Sequence, residues 1–414
     1  MRSYRHRWLP LVAAVALAVS IFAPMRGAVA QSKTLKIGVL LPLSGPFEAL
    51  GAYTREGLEL YLKEHHNMMG GRPVQVIYGD DTNNPAVGLT QLRKLVEQDH
   101  VDVLFGPVAA NVGAASVPFV NQNKIAMIWP IVCDDELTRH PSEYIIRTGW
   151  VCSQTTHVLG DYAYKTLGYR KVATIGYDFN FGWQSIQGFA DVFMTDGGKI
   201  TKEIWTPIVT TDFSPYLSAI PRDVDAVMCS FSGNPAINFM KQYRQFGLKM
   251  PLICQGNATD ESTLAAEGQA AVGIVTALQY SPQLPGTANR GFVARYKKAF
   301  GHIPGYYGEG GYVGAEFLDK GLTALHGDTS DPIALIKAIR AATVNDAPRG
   351  PIKIDDYGAP IQNVYIRKVK DDNGTPVNDV IRTYSNVSEF WTWTPQQYLA
   401  RPAYNRGSPP CNGC

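Results

Sequence analysis

Leu35-Lys36-Ile37-Gly38-Val39-Leu40-Leu41, followed by Leu43-Ser44-Gly45-Pro46-Phe47, decides the fold. The first seven residues are a largely apolar run of the length and character of a buried strand, and Ser-Gly-Pro is turn chemistry. Leu58, Tyr61, Leu62 and His65 then recur at helical spacing. The same alternation continues outward. Val74 to Tyr78 reads as a strand, Leu89, Leu92, Leu95 and Val96 as a helical stripe, and Val101 to Phe105 and Ile125 to Trp129 as two further strands. Strands alternating with helices imply a parallel sheet covered on both faces, a doubly wound α/β arrangement.

A second run of this kind follows Trp150, with strands at Val172 to Gly176, Ile200 to Trp205, Val224 to Cys229 and Leu252 to Cys254. Val101 to Phe105 faintly echoes Val224 to Met228, each leading through a turn and helix to another strand; the general likeness of buried strands explains most of that echo. After Tyr280, helices are expected at Arg290 to Phe300, Tyr312 to Leu325 and Pro332 to Ala342, with strands again at Ile352 to Ile354 and Val364 to Val369. Residues 394–414, rich in Pro, Gly and Asn, read as a loosely ordered, flexible tail.

The N-terminal segment speaks to location. Arg2, Arg5 and Arg7 precede an uncharged apolar run from Leu9 to Phe22, followed by Ala28-Val29-Ala30. That is the layout of a secretory signal peptide spanning 1–30, cut before Gln31. The run is short of the ~20 apolar residues a membrane span needs and is interrupted by Pro10. No cysteine follows the cut, so a soluble periplasmic chain of roughly 380 residues is expected, long enough for two domains. Residues 1–30 hold four of the 38 Lys and Arg and none of the 36 acids, which leaves 34 basic residues against 36 acidic ones. Such balance argues against nucleic acid or anionic membrane as partner. Six cysteines in an oxidising compartment invite pairing. Cys133 and Cys152, Cys229 and Cys254, and Cys411 and Cys414 are neighbours in sequence, but six cysteines permit fifteen connectivities.

In open parallel sheets, ligands sit beyond the carboxyl ends of the strands, beside helix N-termini. The turns at those positions include Asp80-Asp81-Thr82-Asn83, Gly106-Pro107-Val108-Ala109-Ala110-Asn111, Trp129-Pro130-Ile131-Val132-Cys133, Asp178-Phe179-Asn180-Phe181-Gly182-Trp183, Phe231-Ser232-Gly233-Asn234 and Gln255-Gly256-Asn257. Together with Lys36-Ile37-Gly38-Val39, Glu136-Leu137-Thr138, Ile146-Arg147-Thr148 and Tyr312, their order and spacing resemble the type I periplasmic binding proteins of the branched-chain amino-acid group. These are receptor components of ABC importers.

The resemblance implies two similar doubly wound lobes joined by a three-crossing hinge, with lobe one at 33–150 plus 279–346 and lobe two at 151–278 plus 347–393. It also implies a small-molecule ligand held between the lobes and a membrane permease as partner, with the chain acting as a monomer. Site residues follow by position: Phe47, Ala109, Asn111, Trp129, Ile131, Cys133, Phe181, Ser232, Asn257 and Tyr307. Amino-acid receptors of this group carry a Ser/Thr-rich turn where Ala109-Ala110-Asn111 stands, a Thr where Cys133 stands, and an acid against the ligand ammonium where Asn257 stands.

An ammonium desolvated in a closed cleft costs several kcal/mol without a carboxylate partner, so the expected ligand is a small, predominantly apolar carboxylate, an aromatic acid above all. Asn111 with helix amides would hold the carboxylate, Trp129 and Phe181 would pack the ring, and Asn257 would bond a distal polar group. A branched-chain or other aliphatic amino acid would instead require Asp260 or Glu261; a neutral amide is the third alternative. Trp129 equally suits the core at a strand end. Asp80 and Asp81 suit helix capping, and Ser44 suits its own turn. No cofactor, metal or catalysis is expected. The eight His lack ligand spacing, the Ser-Gly pairs lack a nucleophile elbow, and Cys411-Asn412-Gly413-Cys414 lacks a strand-to-helix setting.

Overall fold

Leu35, Ile37, Val39, Leu40 and Leu41 are fully buried, because their strand lies inside a sheet covered on both faces. The computed structural model describes Met1 and residues 33–414; the expected signal peptide lies outside the described residues, Met1 apart. The first sheet contains β1 (Leu35–Leu41), β2 (Met68–Met69), β3 (Arg72–Asp80), β4 (Val103–Phe105), β5 (Met127–Trp129) and β6 (Ile145–Arg147), in the order β2-β3-β1-β4-β5-β6. Its helices are α1 (Glu48–Glu64), α2 (Pro85–Arg93), α3 (Ala110–Asn123) and α4 (Glu136–Arg139). All pairings in this sheet are parallel except the short β2–β3 contact.

The second sheet is built from β7 (Lys171–Tyr177), β8 (Lys199–Thr206), β9 (Ala226–Ser230), β10 (Leu252–Gln255), β11 (Val275–Leu278), β12 (Thr343–Val344), β13 (Ile352–Ile354), β14 (Pro360–Asp372) and β15 (Thr375–Val387). Its helices are α5 (Cys152–Lys165), α6 (Asn180–Thr195), α7 (Ser214–Ser218), α8 (Gly233–Gln245) and α9 (Glu261–Glu267). Then come α10 (Thr287–Phe300), α11 (Tyr306–Ala324), α12 (Pro332–Ala341) and α13 (Pro395–Ala400).

The parallel part of this sheet runs β8-β7-β9-β10-β11, the same order as β3-β1-β4-β5-β6. The echo between Val101–Phe105 and Val224–Met228 therefore has a positional meaning: β4 and β9 stand at the same place in two like sheets. In each, the order reverses beside the first strand, at β1/β4 and at β7/β9. That reversal opens a crevice at the strand ends.

Helices α10 to α12 follow the second run of strands, and α11 returns to pack along α1. Gly57 and Gly311 permit the approach, since a Cβ on either would run into the backbone oxygen of Gly308 or Thr54. Helix α11 begins at Tyr306, six residues before the expected start; Gly308 lies against Gly57 of α1 and Gly310 against Ile131 and the Pro130 carbonyl. The first turn, with Tyr307, thereby reaches the crevice. Three further features differ from expectation. Thr343–Val344, which the resemblance puts in lobe one, pairs with β13 and so belongs to the second sheet. Strand β15 adds a long antiparallel hairpin on β14. Residues 394–414 are not a loose tail: Thr394 and Gln397 form a capping box on α13, Tyr398 and Tyr404 are buried, and Cys411 is bonded to Cys414. Aromatic burial outweighed the Pro/Gly composition.

The other disulfides join Cys133 to Cys152 and Cys229 to Cys254. The first ties lobe one to the opening residue of α5. Around the crossings, buried polar groups fasten the chain. Arg349 Nη1 lies 3.2 Å from Glu309 Oε2, with both side chains fully buried. Arg349 Nη2 donates to the Thr148 carbonyl at 2.6 Å, and Gln362 Nε2 donates to the Gly149 carbonyl at 2.8 Å. Arg349 thus joins α11, the first crossing and the third.

Removing one partner of a buried pair leaves an uncompensated charge, a loss of about 3–5 kcal/mol. Arg349→Met is expected to lower the unfolding free energy by that amount in urea titration; a loss below about 1 kcal/mol would contradict the assignment. Burial also lifts the Glu309 carboxyl to about 7 and those of Glu389 and Glu267 to about 8. These groups hold protons more tightly folded than unfolded, where they titrate near ~4, so their contribution is present at acid pH and is lost as pH rises through 4 to 8. His157, held neutral by burial down to about 3, works oppositely below ~6.5 but is a single group. Stability by urea titration should therefore be greater at pH 5 than at pH 8, and the reverse slope would refute the buried-carboxylate account.

Candidate functional site

The carboxyl ends of β1, β4 and β5 face those of β7, β9 and β10 across the crevice, and between them lies a cavity. Its walls are Phe47, Leu50, Asn83, Val108, Ala109, Ala110, Ile131, Cys133, Trp150, Phe179, Phe181, Ser232, Asn257 and Tyr307. The free space is about 30 Å³, room for one or two waters, so the lobes are closed on one another. No wall residue bears a charge. A larger groove of about 720 Å³ lies along α1, α10 and α11; there Lys320 pairs with Glu316 and Arg295 with Glu64, Asp319 accepts from the Tyr61 hydroxyl and the Gly70 amide, and Asp346 is a further acid of the lining.

Besides α1, whose N-cap is the wall residue Phe47, three helices begin at the cavity. Ala109, Phe179 and Ser232 are the N-caps of α3, α6 and α8, and none accepts a side-chain capping bond. Each start sets backbone N–H groups and the positive end of a helix dipole beside the same space, although the Asn234 amide of α8 donates to the Pro46 carbonyl at 3.3 Å and the Val112 amide of α3 to Asn111 Oδ1 at 3.0 Å. The α3 start comes close because Gly106, at φ 103°, passes against the Leu40 carbonyl, where a Cβ would collide.

Aromatic rings make the body of the wall. Phe181 meets Trp150 edge-on, with centroids 6.4 Å apart, and lies 6.1 Å from Phe179. Phe47 packs 6.3 Å from Tyr177, whose hydroxyl donates to the Ser232 carbonyl at 2.7 Å. Trp150 is fixed by donation from Nε1 to the Ile131 carbonyl at 2.8 Å. Beside Ser232 sits a neutral polar group: Asn257 Nδ2 donates to Tyr307 Oη at 2.9 Å, while Asn257 Oδ1 accepts from Gln255 Nε2 at 3.1 Å. Burial drives the Tyr307 phenol far above its usual titration range, so it keeps its proton and can donate it.

Eight of the ten expected residues meet here: Phe47, Ala109, Ile131, Cys133, Phe181, Ser232, Asn257 and Tyr307. Two do not. Trp129 is buried in the core with Leu40, Leu104 and Val112; Met127 shares its side of β5 while Ile128 points to the other, as strand alternation requires. Asn111 is half-buried and its Oδ1 accepts from the Val112 amide at 3.0 Å; one residue along α3 from Ala110 turns it off the cavity face. Cys133 serves as a wall rather than a polar contact, since its sulfur is bonded to Cys152. Phe231 belongs to a ring cluster with Phe213 and Phe239, and Trp183 Nε1 donates to Asp178.

Asp80 accepts from the Leu43 amide and the Ser44 hydroxyl, and α2 is capped by Asn84 rather than by either aspartate. Sequence reasoning missed Leu50, Asn83, Val108, Ala110, Trp150 and Phe179. Four of these stood in the quoted turns, whereas Trp150, at the first crossing, carried no local signal.

Both acids that an ammonium would need are engaged elsewhere. Asp260 caps α9, accepting from Ser262 N at 3.0 Å and Tyr306 N at 2.7 Å. Glu261 accepts from Asn378 Nδ2 at 2.8 Å. Neither lines the cavity. Among the described residues no group of three or more His, Cys, Asp or Glu could hold a metal ion, and no helix is long and apolar enough to cross a membrane.

The family model described as periplasmic binding protein matches residues 34–375. A Leu/Ile/Val-binding protein homolog 6 of Brucella melitensis is 30% identical over 390 residues, covering 91% of this chain and 98% of its own. A solute-binding protein of an ABC transporter from Rhodopseudomonas palustris BisB5, solved with 3,4-dihydroxybenzoic acid, is 32% identical with a TM-score of 0.81, covering 86% of this chain and 98% of its own. One from R. palustris solved with benzoate is 30% identical, also at 0.81 and with the same coverage. These proteins are receptors, not enzymes. The chain belongs to the type I periplasmic binding proteins of the branched-chain amino-acid group, the substrate-binding components of ABC transporters.

Proposed function

We propose that this receptor captures a small aromatic carboxylate in the periplasm, after removal of residues 1–30, and presents it as a monomer to its membrane permease. The observation that carries this reading is a cavity walled by aromatic rings, free of charged side chains, on which three uncapped helix starts converge. Helix amides favour an anion, and the absence of any wall carboxylate makes a desolvated ammonium costly. Benzoate and 3,4-dihydroxybenzoic acid in the two relatives support the same class.

In this reading the carboxylate takes the amides at the start of α3, around Ala110 and Asn111. The ring stacks among Phe47, Trp150, Phe179 and Phe181. A distal hydroxyl meets Tyr307, whose partner Asn257 fixes its orientation. Since the free space is about 30 Å³, the lobes must part to admit the ligand and re-close on it, a hinge motion whose closed form the permease would recognise.

A thermal-shift screen of the mature chain against benzoate, 4-hydroxybenzoate, benzamide and leucine tests the class. At 100-fold excess over Kd a ligand adds about 2.7 kcal/mol, so the two acids should raise Tm by several degrees while benzamide and leucine do not. A shift with leucine alone would overturn the proposal. Tyr307→Phe should weaken 4-hydroxybenzoate about tenfold in calorimetric titration, the effect of a ~1.4 kcal/mol hydrogen bond, and leave benzoate within about twofold. Equal losses for both ligands would remove Tyr307 from distal recognition.

A further inference from the structure

Residues beyond β15 lie outside the span matched by the family model, which ends at residue 375, and they touch both lobes. On lobe two, Tyr404 Oη donates to Asp191 Oδ2 at 2.8 Å, and Arg401 pairs with the same carboxylate. At the chain end, Asn412 Oδ1 accepts from Ile200 N at 2.9 Å and its Nδ2 donates to the Gly198 carbonyl at 3.0 Å. These contacts dock the segment on β8, the edge strand of the second sheet, and the Cys411–Cys414 disulfide encloses Asn412.

On lobe one the same segment is gripped by α4. This helix is rooted in the first lobe, since Leu137 packs in a core with Leu40 and Leu104. Arg139 Nη1 donates to the carbonyls of Leu399 at 3.2 Å and Arg401 at 2.9 Å, and Nη2 to those of Tyr398 at 3.3 Å and Pro402 at 3.4 Å. Its guanidinium also lies 5.1 Å from the Tyr398 ring centroid. Thr138 donates to Glu389, and Tyr398 Oη donates to Asp135 Oδ2 at 3.3 Å.

We propose that residues 388–414 form an interlobe strap, anchored on β8 and Asp191 of one lobe and clasped by Arg139 of the other, which holds the cleft closed and limits how far it opens. A planar guanidinium with several fixed donors engages four carbonyls of one short stretch, and a rotation that carries α4 away from the second lobe breaks those bonds together with the direct ones joining Asp134 and Asp135 to Gln184 of α6 and Asp135 to Ser153 of α5. Ligand entry then requires release of the clasp, so the strap sets the balance between open and closed receptor whatever the ligand is.

Arg139 is partly exposed, so Arg139→Gln removes its four carbonyl bonds without opening the core and leaves the Thr138–Glu389 and Tyr398–Asp135 bonds from this side, and Arg139→Lys keeps the charge while losing the forked donors. Ligand-free mature protein and both variants are compared by small-angle scattering and by hydrogen exchange of amides 396–404. The expected result is loss of protection in this stretch in both variants, together with a radius of gyration above that of the parent, for which a compact chain of this length gives about 21 Å. Lost protection with an unchanged radius would overturn the proposal, because the strap would then be released without consequence for the lobes. Retained protection would overturn it equally, because Arg139 would not be the clasp.

Discussion

Backbone amides at the start of a helix have no partner within the helix, and burying them without an acceptor is costly. The rest of this molecule is arranged around that constraint. Two parallel sheets of the same strand order aim the starts of α3, α6 and α8 into one crevice. Closing the lobes removes these amides from water, so on the proposed reading closure is favoured most when an anion enters with them. The fold thus couples occupancy to shape before any side chain is chosen. The walls then choose the ligand's body.

What the walls leave out matters as much as what they include. Asp260 and Glu261 lie close in sequence to Asn257 and are fully or largely buried, yet they are turned into the body of lobe two and the hinge. There they meet Tyr306, Ser262, Asn378 and, electrostatically, Arg367. Their charge is spent on holding α9 and the crossing in place. Asn257 and Tyr307 remain as a neutral pair at the cavity, able to read a hydroxyl but not to neutralise an ammonium.

The fold was legible because its code is short-range. The run Leu35–Leu41 became β1 residue for residue, and the turns that followed each strand supplied most of the cavity. Where sequence reading failed, the cause was orientation. Trp129 stands at a strand end like its cavity neighbours, but alternation along β5 puts it with Met127 on the far side. Asn111 is one step past Ala110, and that step turns it from the space it was expected to serve. Trp150 and the 394–414 segment depend on contacts across long sequence separations. No local periodicity announces such contacts: Tyr398 packs with nearby Phe390 and Tyr404, but it also meets Asp135 and His157, more than 200 positions earlier.

The Cys133–Cys152 disulfide joins a residue of the cavity wall to the first residue of α5 and encloses β6 and the first crossing within a separation of 19 residues. The wall and the hinge are therefore one covalent loop, completed only by oxidation. Without that bond, the wall at Cys133 would be joined to α5 only by hydrogen bonds such as that from the Cys152 amide to the Cys133 carbonyl at 2.8 Å.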